Sequence, residues 1–173
     1  MSSFFYSTNV LSQEQLAFLG IVAVESTYTE LFIEKAIWCL ADLTEERGRL
    51  LTFGVPMDKR VDLLGSLGEL GLKEERLIKE FKAVISRLKL ANTQRNHVVH
   101  GDWTFGPYTI TSLPDGSAKF APGLPTVTKT RRSGDQVTLD AAQLNSVAEE
   151  LALSRVELMA FLYNHIPVTK VLF

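Results

Sequence analysis

The sequence predicts a mainly α protein, an antiparallel bundle of four to five helices with a small β-hairpin insertion between the last two long helices. Three observations lead there. Long proline-free stretches carry apolar residues at steps of three and four, the spacing of one helix face. Two of those stretches open on a capping box, Ser12 with Gln15 and Asp140 with Gln143. Between about 102 and 139 the helical period gives way to short alternating runs separated by turn residues.

The first helix is expected from Ser12 to about Leu43. Leu16, Leu19, Ala23, Leu31, Ile33, Ile37, Trp38 and Leu40 spread over a broad face, so it should pack against more than one neighbour. Gly54 and Pro56 break the chain, and Val61, Leu64 and Leu67 mark a short helix from Asp58 to about Gly68. A third helix, from about Lys73 to His100, carries Leu77, Phe81, Val84, Leu88 and Ala91 as a seam, and Gly101 stands where a helix-ending residue belongs. Tyr108 to Thr111, Val127 to Thr130 and Gln136 to Leu139 read as strands, with a turn at Pro114-Asp115-Gly116. The last helix runs from Asp140 to about Asn164 on Leu144, Val147, Leu151, Val156, Leu158 and Phe161. No linker or repeat divides the chain, so residues 1–173 are read as one domain with 102–139 as its insertion.

Composition narrows the function. With 173 residues, 46% hydrophobic and 22% charged, the chain can bury a core without staples. A formal charge of −2 excludes general coating of nucleic acid. Residues 71–139 nevertheless carry 11 basic against 6 acidic side chains, including Lys129, Arg131 and Arg132, a local basic face able to hold RNA. The lone Cys39 excludes an internal disulfide and a cysteine-rich zinc site. The apolar run Leu16 to Val24 is too short to cross a bilayer, and the start of the chain lacks a positive signal region. A soluble cytoplasmic protein with no membrane contact is expected.

One residue breaks the seam of the third helix. The step after Ala91 brings Arg95, a permanent cation where an aliphatic side chain belongs. Such a group must be paired or face a cleft, because leaving it unpaired among aliphatics costs several kcal/mol. Its pairing candidates include Glu25, Glu30 and Glu34 of the first helix. Asn92, Asn96 and His100 form a polar row on one flank, about 60°, 100° and 140° around from Arg95. His100 closes the helix, where the macrodipole favours a protonated ring, and a proton-exchanging imidazole near a fixed cation suits phosphodiester chemistry. His97, His100 and Asp102 offer three ligands of a zinc site, but no fourth ligand or acidic base accompanies them, so neither metal nor cofactor is assigned.

The string Arg95-Asn96-His97-Val98-Val99-His100, continued by Gly101-Asp102-Trp103, resembles the motif of the HEPN superfamily: Arg, a polar residue, three further residues, then His. It is similar to the ending found in many small bacterial HEPN-like proteins. The resemblance implies a bundle of four or five helices that forms a homodimer, with both motifs lining one cleft. It also implies a metal-independent endoribonuclease, acting as a toxin or phage-defence effector restrained by an antitoxin or nucleotidyltransferase partner. Cleavage would leave a 2′,3′-cyclic phosphate and a 5′-hydroxyl. Carried over, Arg95 stabilises the phosphorane, His100 transfers the proton and Asn96 orients His100 or the substrate. Asn92, Lys129, Arg131 and Arg132 would hold RNA. Some HEPN-like proteins bind without cutting, so the alternative expectation is a non-catalytic dimeric module for a nucleotide, RNA or a partner protein. The segment 102–139 is longer and more strand-like than in compact members.

Overall fold

The structure is a computed structural model that describes residues 11–100, 102–105, 109–115, 117–121, 125–128, 136–138 and 140–166. Five helices dominate it: α1 (Gln13–Leu40), α2 (Glu45–Thr52), α3 (Met57–Gly71), α4 (Glu75–His100) and α5 (Ala141–His165). Both capping boxes form. The Ser12 hydroxyl accepts from the Gln15 amide and the Asp140 carboxylate from the Gln143 amide, while each glutamine side chain accepts from the cap's own N–H. These reciprocal bonds satisfy donors that the first turn of a helix leaves free.

The first helix, expected to reach about Leu43, ends at Leu40, and α2 follows where no helix is expected. The chain turns sooner: Asp42 adopts φ 56°, a left-handed conformation that aspartate tolerates better than most residues. Thr44 then caps α2, accepting from the Arg47 amide, with Glu45 and Glu46 in the first turn. Trp38 locks this corner, its indole N–H donating to the buried Thr52 hydroxyl at 3.2 Å.

The four longer helices form the bundle, with α1 packed between α3 and α5, and α4 likewise between α3 and α5. Since α3 is much shorter than α1 and α4, the core has two parts. The lower part gathers Ile33, Ile37, Val61, Leu64, Phe81, Leu88, Leu158 and Leu162 from all four helices. The upper part, built of Val22, Ala91, Val98, Leu144, Val147, Ala148 and Leu151, comes from α1, α4 and α5 alone.

Between α4 and α5 the described backbone runs in strands of three or four residues. These are β1 (Asp102–Phe105), β2 (Thr109–Ser112), β3 (Ala118–Ala121), β4 (Pro125–Thr128) and β5 (Gln136–Thr138). All pairings are antiparallel, in the order β1-β4-β5 and, separately, β2-β3. Gly101, expected to end α4, and Lys129, Arg131 and Arg132, expected to hold RNA, lie outside the described residues.

Candidate functional site

Three glutamates on α1 each meet an arginine from a different long helix. Glu25 accepts from Arg155 of α5 at 2.7 Å, Glu30 from Arg95 of α4 at 2.9 Å, and Glu34 pairs with Arg60 of α3 at 2.8 Å. Arg60 also lies 3.8 Å from Glu30, so two guanidiniums share that carboxylate. The column follows from spacing: residues 25, 30 and 34 step around α1 toward the other helices in turn. The spacing of α1 names the three glutamates and leaves out two of their partners: Arg60 interrupts no apolar seam, whereas Arg155, with Ser154, stands in the gap of the α5 seam between Leu151 and Leu158, the same signal that marks Arg95.

Arg95 points inward, as its place in the seam requires. Its Nε donates to Ser26 Oγ at 2.7 Å, Nη1 to Asn96 Oδ1 at 3.0 Å and Nη2 to Glu30 Oε1 at 2.9 Å. Every nitrogen of the guanidinium therefore has a partner in its own chain. The Arg95 side chain retains 17% exposure and that of Glu30 30%, so the pair is shielded on most sides yet reachable from solvent. Glu30 sits near the start of α3, where helical cover of the α1–α4 pair ends.

The other motif residues divide by orientation. His100 is five residues on, about 140° around and about 7.5 Å along the helix, and it is exposed. The Arg95 head thus turns into the bundle while the His100 ring faces solvent. Asn96 is half-buried and its described contact is to Arg95 rather than to His100. Asn92, assigned above to RNA, is 4% exposed, and its Oδ1 has no hydrogen-bond partner. Among the described residues no group of three or more His, Cys, Asp or Glu is placed to hold a metal ion.

Chemically the arrangement is a cation already neutralised by a carboxylate. An incoming phosphate must compete with Glu30 for Arg95 and approach that carboxylate's charge at close range. Charge-assisted bonds of this kind are the strong ones among hydrogen bonds, and three on one planar head hold it in a single orientation. Compared with known proteins, the chain matches no family model, no curated protein and no solved structure.

Proposed function

We propose that this chain is a HEPN-like, soluble cytoplasmic helical module that acts by binding, with Arg95 as an internal clasp between α4 and α1. The HEPN likeness rests on the residues Arg95 to His100 and on the helical build around them, with the hairpin-bearing segment 102–139 as an addition after the motif. The observation that carries the binding reading is the commitment of all three Arg95 nitrogens to Ser26, Asn96 and Glu30. A group held this way orients a helix; it is poorly placed to gain a new anionic partner in a transition state, where catalysis needs interactions absent from the ground state.

The competing reading is the metal-independent endoribonuclease, with RNA as substrate and an antitoxin or nucleotidyltransferase as partner. It draws support from His100, which is exposed at the end of the same helix. One experiment separates the two. Purified protein is incubated with RNA in EDTA, alongside Arg95→Ala and His100→Ala, and each variant's melting midpoint is read in parallel. On the binding reading no cyclic-phosphate products form, and Arg95→Ala lowers the midpoint. Cleavage by the parent chain that His100→Ala abolishes without changing the fold would overturn it.

A further inference from the structure

A hollow of about 360 Å³ lies between α1 and α2, with Leu31, Lys35 and Trp38 on one side and Arg49 and Phe53 on the other. It is remote from the Arg95 clasp. Lys35 follows Ser26, which binds Arg95, by nine residues, hence about 180° around α1 and about 13 Å along it. Its size falls within the range of small-molecule sites, and so does its make-up, apolar and aromatic walls with charge at the rim.

Part of the lining is fixed before any ligand arrives. The Trp38 ring presses on α2 at Gly48, where an added Cβ would meet it at 2.3 Å, and its indole N–H donates to Thr52 at 3.2 Å. Other lining groups are uncovered. Leu31 is 50% exposed and Phe53 88% exposed. Phe53 ends α2, and Gly54 after it takes φ 71°, so the chain turns away and leaves the ring in solvent.

The rim charges are already committed, with one exception. Glu45 pairs with Arg49, and Glu34 with Arg60 at 2.8 Å. Among the described charges that line the hollow, Lys35 alone has no ion-pair partner.

We infer that this hollow binds a small aryl carboxylate, its ring against Leu31, Trp38 and Phe53 and its carboxylate on Lys35. A carboxylate there breaks no existing pair and gains a charge-assisted bond. An ammonium would be repelled by Lys35 and would have to take Glu34 from Arg60 or Glu45 from Arg49. A dianion such as a phosphate monoester would bring a second negative charge against Glu34 and Glu45 at the same rim. One negative charge on a flat apolar body is what the lining accommodates. The inference stands whether the Arg95 motif binds or cuts.

Calorimetric titration of the full chain with 2-naphthoate tests it, beside the neutral isostere 2-naphthamide. Binding should saturate at one site per chain, with the carboxylate preferred about fivefold, the upper range for an exposed ion pair. Lys35→Met should erase that preference, and Phe53→Ala should weaken both ligands about tenfold, each with unchanged helical circular dichroism. The indole N–H resonance of Trp38 should move as ligand is added. Absence of saturable binding overturns the proposal, as does a carboxylate preference that survives Lys35→Met. So does a titration that leaves the Trp38 resonance in place, or one that Arg95→Met abolishes in a folded chain, which would put the ligand at the motif instead.

Discussion

Arg95 Nη2 stands 2.9 Å from Glu30 Oε1, and the same carboxylate lies 3.8 Å from Arg60 Nη1. The sharing makes the partners unequal. Without Arg95, Glu30 still has a cation nearby; without the Glu30 charge, two guanidiniums are left in a partly shielded space with less to neutralise them. Glu30→Gln should therefore destabilise by about 1–3 kcal/mol, between the values for an exposed and for a fully buried pair, because both side chains keep some solvent contact. Arg95→Met, which restores an aliphatic group to the seam, should cost less. Urea melts of both variants and of the double variant read this directly, and an Arg95→Met cost equal to or above that of Glu30→Gln would contradict the shared-carboxylate account.

Asn92 gives a prediction of the opposite sign. It is almost wholly buried and its Oδ1 is unpartnered. An unsatisfied buried acceptor costs about 1–3 kcal/mol. Asn92→Leu keeps the number and branching of side-chain heavy atoms and removes the orphan acceptor, so the melting midpoint should rise or hold. A clear fall would mean that the amide meets a need the folded chain alone does not reveal.

Close approach of α3 to α4 depends on a missing side chain. A Cβ added at Gly68 would collide with the Phe81 ring, itself part of the core, whereas one added at Gly71 would meet nothing within 4 Å. Gly68→Ala should destabilise by about 1–3 kcal/mol through overpacking. Gly71→Ala should be neutral or mildly stabilising, since alanine favours helix. Thermal melts of the two variants give the comparison, and equal midpoints would refute the close contact.

The α3–α4 surface also carries a pH-dependent element. Hydrogen bonding and charge from Lys89, at 2.7 Å, with a smaller contribution from Lys59, hold the Asp62 carboxyl below its ordinary value. A carboxyl lowered in the folded state stabilises above its unfolded value, about pH 4, and loses that contribution as pH falls through its folded value. The stability gap between the parent and Asp62→Asn should be small near neutrality, reduced further by salt, and should close as the medium is acidified below that point. A gap that widened on acidification would reverse the assignment.

Local chemistry decided a good part of this fold. Ser12 with Gln15 and Asp140 with Gln143 set the starts of α1 and α5 through bonds within three residues, so no distant partner was needed to read them. The seam of α4 likewise showed that Arg95 had to be paired or face a cleft, because periodicity and the cost of an unpaired cation are both properties of one helix. The turn at Asp42 and the helix after it were harder to read. A left-handed aspartate and a threonine cap compete there with a continuing apolar pattern, and the Trp38–Thr52 bond closes the corner.

The sequence by itself determined the long helices, their apolar faces and the presence of a cation that demanded a partner. Only the tertiary structure decided which of Glu25, Glu30 and Glu34 that partner is, that Asn92 is buried, and that the exposed side of α1 turns away from Arg95. The reason is register: Arg95 and Glu30 are 65 residues apart. How far α4 slides along α1 depends on the packing of all four long helices, and no single helix encodes that.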